Sequence, residues 1–170
     1  MFSSGEKYLD QNVIKFINDE PFLLVTSHRR ENILNKLSLK NIVDLINSSD
    51  KKVVFPMGYA TQRQIKDFGL NLNDNVLVID PIGYLEFIYL LKKSQYCISD
   101  SGTVIEEACI LNIPSIQMRY STERPEVYEV GSSVKFDPTL VDQKFQDIHL
   151  MVDSLNNNKW SHPFGDGCLL

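Results

Sequence analysis

The sequence QYCISDSGTVIEE, which occupies residues 95–107, passes from an apolar run through small polar residues into a second partly apolar pattern. Residues 95–98 are typical of a short buried strand, and residues 100–102 supply the chemistry of a tight turn. The apolar residues that follow have helical spacing, and we expect a helix over residues 103–111. The stretch therefore predicts a strand, a turn and a helix in immediate succession.

The predicted helix start carries residue types that cap a helix and attract an anion. Ser101 or Thr103 can cap the helix, with Glu106 or Glu107 placed to complete a capping box. Gly102 lets a ligand approach the backbone, and the free N–H groups of a helix start attract phosphate. A carboxylate one turn into the helix can accept hydrogen bonds from a ribose. An ordinary capped helix that binds nothing explains this stretch equally well.

The same alternation of apolar runs and helical spacing repeats along the chain. Strands are predicted over residues 22–26, 52–55, 76–79, 95–98, 114–118 and 134–136, and helices over residues 6–18, 37–48, 61–68, 84–93, 103–111, 125–130 and 141–155. We therefore predict an α/β fold with a doubly wound, mostly parallel sheet of about six strands. The predicted division is an N-terminal helix and linker, a folded domain and a C-terminal tail, over residues 1–21, 22–158 and 159–170.

Length and composition restrict the class of protein. A chain of 170 residues with 43% hydrophobic and 23% charged residues is typical of one globular domain. The net charge of −5, without a basic block, argues against a nucleic-acid partner. No apolar run approaches the roughly 18 residues of a membrane-spanning helix. The odd number of cysteines and the lack of a signal sequence predict a cytoplasmic location.

Neither a metal site nor a common cofactor site is indicated by the pattern. Cys97, Cys109 and Cys168 have no metal-ligand spacing. His149 and His162 are isolated, and each is expected to be structural or on the surface. The chain has neither a Walker loop nor a Gly-x-Gly-x-x-Gly motif, so P-loop and dinucleotide chemistry are not supported. We therefore expect no metal ion and no cofactor.

Dense polar loops follow several of the predicted strands, at the edge where an open parallel sheet binds its ligands. These loops cover residues 27–32, 80–84, 100–103 and 119–126. Three residues of these loops, His28, Asp100 and Ser101, have the side-chain types of a hydrolase triad. However, Ser101 lacks the Gly-x-Ser-x-Gly elbow of the serine hydrolases. The loops therefore predict a binding rim more strongly than a hydrolase.

His28 and Arg124 have the clearest chemical use within these loops. His28, followed by Arg29, can exchange a proton near neutral pH beside a phosphate or a sugar, although a solvated charged loop has the same pattern. Arg124 can clamp a pyrophosphate with its forked guanidinium group. The alternative for Arg124 is an ion pair with Glu123 or Glu126.

Taken together and in order, the loops match one known family. The matching segments are TSHRREN at 26–32, IDP at 79–81 with YLEF at 84–87, DSGTVIEE at 100–107, TERPE at 122–126 and PFGDG at 163–167. On these motifs the chain resembles the C-terminal domain of the non-hydrolysing UDP-N-acetylglucosamine 2-epimerases. The resemblance covers residues 22–137 and extends into the tail, where PFGDG is similar to the family's terminal Pro-Tyr-Gly-Asp-Gly.

The resemblance implies a fold and a ligand. Family members have two Rossmann-like domains in the GT-B arrangement of many nucleotide-sugar glycosyltransferases, with a UDP-sugar in the cleft between them. By this resemblance His28 is an active-site histidine near the diphosphate, and Arg29 lies beside it. The other UDP contacts that the motifs imply are Phe87 for the uridine, Ser101 and Gly102 for the diphosphate, Glu107 for the ribose and Arg124 for a phosphate.

The resemblance also implies a reaction that needs both domains. The family eliminates UDP to leave a 2-acetamidoglucal and then adds it back with the opposite configuration at C2. The half that holds UDP can stabilise the leaving group through cations and a helix dipole. The carboxylates that move the C2 proton belong to the N-terminal domain. The expected partners are thus UDP or a UDP-sugar and an N-terminal epimerase domain outside these 170 residues, with a homodimer left open. Without that domain the chain is expected to be inactive as an isomerase.

Two departures from the family pattern bear on the substrate. Residues 57–61 stand where the family commonly has a His-Asn-Pro segment, and Gly102-Thr103 replaces a usual pair of glycines. The second departure, with the loop at residues 120–126, is similar to the capsule and O-antigen branch, whose substrate can be a 6-deoxy UDP-sugar. The resemblance thus implies a 2-epimerase of bacterial surface-polysaccharide synthesis. Three alternatives are a UDP-sugar-binding module without catalysis, the C-terminal half of a glycosyltransferase, which is not expected to carry His-Arg-Arg-Glu-Asn, and a non-binding interaction domain.

Overall fold

The computed structural model describes residues 5, 6, 8–119, 125–158 and 160–164. A sheet of six strands forms its centre: β1 (Phe22–Thr26), β2 (Lys52–Pro56), β3 (Val76–Ile79), β4 (Tyr96–Ser99), β5 (Ser115–Met118) and β6 (Ser133–Phe136). The strands are hydrogen-bonded in the order β3-β2-β1-β4-β5-β6, and every pair is parallel. The predicted α/β class, the parallel sheet and its number of strands are confirmed.

The helices lie on both faces of the sheet. They are α1 (Gln11–Ile17), α2 (Arg30–Ile33), α3 (Lys36–Asn47), α4 (Tyr59–Asp67), α5 (Tyr84–Lys93), α6 (Gly102–Ile110), α7 (Glu126–Glu129) and α8 (Phe145–Ser154), followed by a 3₁₀ turn at Leu155–Asn157. Helices α3, α4 and α8 pack on one face, and α1, α5 and α6 pack on the other. The sheet is therefore doubly wound, as predicted.

Side chains of the central strands alternate between the two faces. In β1, Leu23 and Val25 belong to the apolar cluster under α3, whereas Phe22 and Leu24 belong to the cluster under α5. All four are at most 1% exposed. Because both faces of the strand are covered, each position favours an apolar residue. This explains the continuous apolar run in the sequence.

The strand order creates a crevice near the centre of the sheet. Strands β1 and β4 are neighbours, but α3, which connects β1 to β2, packs on one face while α6, which follows β4, packs on the other. The two connections therefore diverge at the carboxyl ends of these strands. Open α/β sheets bind their ligands at such a switch point.

Three local predictions of secondary structure were wrong. Helix α1 begins at Gln11 instead of residue 6, because Asp10 caps it by accepting a hydrogen bond from Asn12 N. The polar segment after β1, predicted as a loop, contains the short helix α2. Helix α8 begins at Phe145 instead of residue 141, because the backbone of Asp142 is left-handed, with φ 57°, and cannot continue a right-handed helix; before it, Asp137 stabilises a turn. Its Oδ1 accepts hydrogen bonds from Thr139 N at 2.9 Å and from Thr139 Oγ1 at 2.6 Å. Such local side-chain bonds compete with helix formation.

Candidate functional site

One buried carboxylate joins the carboxyl ends of β1 and β4. Asp100, which directly follows β4, has no exposed surface. Its Oδ2 accepts hydrogen bonds from Ser27 Oγ at 3.0 Å, Arg29 N at 3.0 Å and Asn32 Nδ2 at 3.2 Å. His28 N donates to the same carboxylate, 3.2 Å from Oδ1 and 3.1 Å from Oδ2. The chain after β1 is thus folded around the end of β4.

Two side chains extend this junction to the backbone. Arg29 Nε donates to Asp100 O at 2.8 Å. Asn32 Nδ2, besides its bond to Asp100, donates to Met118 O at the end of β5, at 3.3 Å. The loop after β1 is therefore attached to the ends of both β4 and β5. We refer to these contacts of residues 27–32 with Asp100 as the Asp100 junction.

The Asp100 junction presents His28 to solvent. Its side chain is 68% exposed, and its Nδ1 lies 3.6 Å from Asp100 Oδ1. This separation is slightly longer than a hydrogen bond. The neighbouring guanidinium group of Arg29 is about one-third exposed, with Nη1 4.0 Å from Glu31 Oε1. An imidazole and a guanidinium group held in this way can contact an anionic ligand or exchange a proton with it.

Helix α6 begins on the other side of the switch point, where Ser101 is its N-cap. Ser101 Oγ accepts a hydrogen bond from Val104 N at 3.4 Å, and Ser101 N donates to Ser99 Oγ at 3.0 Å. The predicted capping box was wrong, because the residue three positions after the cap is Val104. Ser99, in the preceding strand, takes the role predicted for Glu106 or Glu107.

The start of α6 has the properties of an anion-binding helix terminus. The first N–H groups of a helix have no partner within it. Because Ser101 takes the N–H of Val104, the N–H groups of Gly102 and Thr103 remain as donors for an anion. The helix is nine residues long, and its dipole adds a partial positive charge at this end.

Glu107 lies further along α6 and is only 8% exposed. Burial raises the pKa of its carboxyl group, and the charge of Glu106 raises it further. The pKa of Tyr84, at the start of α5, is raised first by burial and then by the charge of Glu107. Phe87, one turn along α5, is half-buried against the same apolar cluster as Val104. The residues predicted to contact the uridine and the ribose therefore lie on two helices of one face.

The structure brings most of the predicted site residues together. The predicted residues that follow β1 and β4 meet at the switch point, and Phe87 and Glu107 lie on α5 and α6. The predicted phosphate contact Arg124 falls outside the described residues. Pro125, which is described, directly precedes α7.

Sequence reasoning missed the supporting members of the junction. The polar run at residues 27–32 gives no sign that Ser27 and Asn32 are buried in it. Thr61 also supports the loop, because its Oγ1 donates to Ser27 O at 3.1 Å. For Asp100 a signal exists: a charged residue directly after a central strand is buried where water is scarce and needs several donors.

The described residues contain no group of three or more histidine, cysteine, aspartate or glutamate side chains that could hold a metal ion. Among these residues, no helix combines the length and the apolar character needed to cross a membrane. Cys97 and Cys109 are buried and form no disulfide. Burial raises the pKa of Cys97 to about 12, so its thiol is protonated at neutral pH and a poor nucleophile.

Comparison with known proteins identifies the family of the chain. Residues 3–168 match the family model described as UDP-N-acetylglucosamine 2-epimerase. The chain belongs to this family. It is 39% identical over 172 residues to the UDP-N-acetylglucosamine 2-epimerase of Methanocaldococcus jannaschii, in an alignment that covers 93% of this chain and 46% of that protein. The chain therefore spans less than half the length of this relative, and it corresponds to the C-terminal half.

A solved structure and a second relative extend the comparison. The crystal structure of the Methanocaldococcus jannaschii UDP-GlcNAc 2-epimerase in complex with UDP-GlcNAc and UDP matches with a TM-score of 0.78 and 37% identity, over 98% of this chain and 48% of that one. The UDP-2,3-diacetamido-2,3-dideoxy-D-glucuronate 2-epimerase of Pseudomonas aeruginosa is 38% identical over 124 residues, which cover 71% of this chain and 34% of that protein. Relatives of similar identity thus carry different UDP-sugars in their names.

Proposed function

We propose that this chain is the UDP-holding half of a UDP-sugar 2-epimerase and that it takes UDP at the switch point between β1 and β4. The observation that carries the proposal is the Asp100 junction, which holds a histidine and an arginine beside the start of α6. Support comes from the structure of the Methanocaldococcus jannaschii relative, which was determined with UDP-GlcNAc and UDP.

The diphosphate of UDP fits the chemistry of the α6 start. The N–H groups of Gly102 and Thr103, with the Ser101 hydroxyl beside them, supply donors for phosphate oxygens. Across the crevice, His28 and Arg29 supply a proton donor and a positive charge. A dianionic group at this place is favoured by both the helix dipole and the cation.

The nucleoside fits the neighbouring helices α5 and α6. The carboxylate of Glu107 can accept hydrogen bonds from both ribose hydroxyls, and Phe87 can pack against the uracil ring. The cost of burying the Glu107 charge is expressed as its raised pKa. Two hydroxyl donors from a ribose would offset that cost, which favours a sugar ligand at this carboxylate over a phosphate.

The proposed reaction depends on this half for the leaving group. As the C2 proton is removed, the bond between C1 and the UDP oxygen breaks, which yields a 2-acetamidoglucal and UDP. UDP then adds back to C1 while a proton is delivered to the opposite face of C2. The charge that develops on UDP is stabilised by the α6 dipole and by Arg29 and Arg124. The base and acid at C2 are proposed to lie in the N-terminal half of the complete enzyme.

The substrate is proposed to be UDP-N-acetylglucosamine or a related UDP-2-acetamido sugar. The contacts assigned to this half involve the nucleotide alone, so they suit several sugars equally. That agrees with the different sugars named in relatives of similar identity. We propose the cytoplasmic synthesis of nucleotide sugars for a surface polysaccharide as the setting.

Calorimetric titration with UDP tests the proposal directly. The 170-residue chain is expected to bind UDP, and Glu107→Ala and Arg124→Ala should each weaken the affinity about tenfold or more, as expected for bonds to charged groups. Glu129→Ala, on the exposed surface of α7, is the matched control and should bind UDP like the wild type. A wild-type chain that shows no heat of binding at millimolar UDP contradicts the proposal.

A binding module without catalysis is the second candidate, because the contacts proposed for this half involve the nucleotide alone. The NMR signal of the C2 proton of UDP-N-acetylglucosamine in deuterated buffer separates the two. The chain alone should leave that signal unchanged. Co-expression with the N-terminal half of the Methanocaldococcus jannaschii relative should restore exchange if the chain is an epimerase half. UDP binding without exchange in the combined protein supports the module, and transfer of the sugar to an acceptor supports a glycosyltransferase half.

A further inference from the structure

The buried carboxylate of Asp100 is compensated by one loop. Aspartate is almost never fully buried unless it is paired. Here Ser27, His28, Arg29 and Asn32 all donate to the carboxylate. All four of these bonds reach Oδ2, so this oxygen anchors the loop after β1.

The second oxygen has a different neighbour. Oδ1 shares the backbone N–H of His28 with Oδ2, at 3.2 Å and 3.1 Å, and it alone faces the ring, with His28 Nδ1 at 3.6 Å. A carboxylate oxygen only accepts hydrogen bonds. The ring nitrogen that faces such an oxygen is favoured in its protonated form, which leaves the other ring nitrogen with the lone pair.

We propose that Asp100 is the positioning residue of the site: Oδ2 fixes the loop that carries His28 and Arg29, and Oδ1 selects the tautomer of His28. In the neutral ring the proton is on Nδ1, and Nε2 carries the lone pair. Nε2 is then the atom that accepts a proton from the ligand or, when protonated, donates to it. This inference rests on the proposed function for its ligand, UDP, but its geometry belongs to the chain alone.

The two oxygens can be separated by substitution. In Asp100→Asn, the amide oxygen is expected at the place of Oδ2, because four donors converge there, including the backbone N–H of His28 at 3.1 Å. The amide NH₂ then takes the place of Oδ1 and faces His28 Nδ1. Since NH₂ is a donor, it favours a lone pair on Nδ1 and a proton on Nε2. Asp100→Ala removes both effects.

The tautomer is read from long-range ¹H–¹⁵N spectra of the labelled 170-residue chain at pH 8.5, above the ordinary pKa of histidine. His28 in the wild type should show the Nδ1–H pattern, and in Asp100→Asn the Nε2–H pattern. His149 is an internal reference, because its Nε2 lies 2.7 Å from the carbonyl of Leu45 and must donate to it. Asp74→Asn, an exposed turn residue, is the control that should leave His28 unchanged. A wild-type His28 with its proton on Nε2, or a tautomer unchanged in Asp100→Asn, overturns the proposal.

Amide exchange and UDP titration complete the test. Exchange at Arg29 should accelerate about tenfold or more in Asp100→Ala and much less in Asp100→Asn, which keeps an acceptor. Asp100→Asn should also weaken UDP binding about tenfold. If the wild type binds no UDP but the tautomer behaves as stated, the proposed function fails and the positioning role is supported. If the wild type binds UDP and Asp100→Asn binds it equally well, the positioning role is overturned. Should Asp100→Ala not fold, Asp100→Asn alone decides.

Discussion

Strand β4 has a histidine near each end, and the two are held in opposite ways. Near its amino end His149, from α8, is buried, with Nδ1 2.6 Å from Tyr96 Oη and Nε2 2.7 Å from Leu45 O. At its carboxyl end His28 is 68% exposed, and one ring nitrogen faces Asp100. A ring with both nitrogens engaged by the protein stabilises the fold. A ring with one nitrogen left over is available to a ligand.

The proton arrangement at the amino end follows from its partners. A carbonyl oxygen only accepts, so His149 Nε2 donates to Leu45 O, and in the neutral ring Nδ1 accepts from the Tyr96 hydroxyl. Lys51 and Asp153 form an ion pair beside them, 3.5 Å apart. This network is complete without a ligand, as buried polar groups in stable folds usually are. The comparison thus assigns His149 to stability, and His28 keeps the binding role that we propose for it.

Alanine substitution of each histidine should give the largest difference in the free energy of unfolding. His149→Ala removes two hydrogen bonds and leaves a cavity and an unpaired carbonyl, so it should lower the free energy of unfolding by about 3 kcal/mol. His28→Ala should change it by less than about 0.5 kcal/mol, as at an exposed position. Urea denaturation measures both. For UDP affinity the order should reverse: His28→Ala weakens binding, and His149→Ala leaves it unchanged. Equal destabilisation by the two variants would contradict the assignment.

Removal of the Tyr96 hydroxyl oxygen tests the hydrogen bond to His149 at the amino end of β4. Tyr96→Phe leaves His149 Nδ1 buried without its donor and should cost about 1–2 kcal/mol of unfolding free energy. Tyr59→Phe, at a side chain 78% exposed, is the matched control and should be neutral. Guanidinium denaturation of the two variants gives the difference. A Tyr96→Phe variant as stable as the wild type would show that the Tyr96 hydroxyl makes no net contribution.

The pH dependence of stability tests the burial of His149. The pKa of His149 is lowered by burial and by the charge of Lys51, while the bond to Leu45 and the charge of Asp153 act in the opposite direction. The unfolded chain therefore takes up a proton at this residue first as the pH falls below the ordinary value. Stability should fall between pH 7 and pH 5, with a contribution of at most about 1.4 kcal/mol per pH unit from this one group. Urea denaturation across this range should show a shallower slope in His149→Gln than in the wild type, and an equal slope in the two proteins would contradict the prediction.

The sheet could be predicted from the sequence because its cause is local. Central strands covered on both faces need apolar residues at every position, and those runs are visible at residues 22–26 and 95–98. The rim of the site was also predictable, because the carboxyl ends of parallel strands meet at one edge. The isolated position of His149 predicted a residue that is either structural or on the surface, and its burial shows the first of the two.

The junction itself could not be predicted, because its bonds join distant parts of the chain. Ser27 and Asp100 are 73 positions apart, and their bond exists only once β1 and β4 are neighbours. Ser101 was correctly predicted as a cap of α6, but the predicted capping box was wrong for a related reason. Local spacing offered Glu106 or Glu107 as its partner, whereas the folded chain supplies Ser99 from the strand. Tertiary contacts of this kind override local pattern.

The smallest expected effect concerns Glu107, the second buried carboxylate of the carboxyl end. The ribose contact that we propose for Glu107 needs the ionised carboxylate. Burial and the charge of Glu106 raise the pKa of this carboxyl group, so Glu107 loses its proton less readily in the fold than in the unfolded chain. The fold is therefore destabilised as the pH rises above the ordinary pKa of glutamate. Glu107→Gln removes that cost and should stabilise the chain by up to about 1 kcal/mol at pH 7. At pH 4, where the unfolded chain also holds most of the proton, the gain should largely vanish, and Glu129→Gln should show no gain at either pH. The same Glu107→Gln variant should bind UDP more weakly, because an amide offers one acceptor oxygen to the ribose where the carboxylate offers two. A variant with lower stability at pH 7 than the wild type would instead place Glu107 with His149, among the groups that hold the fold together.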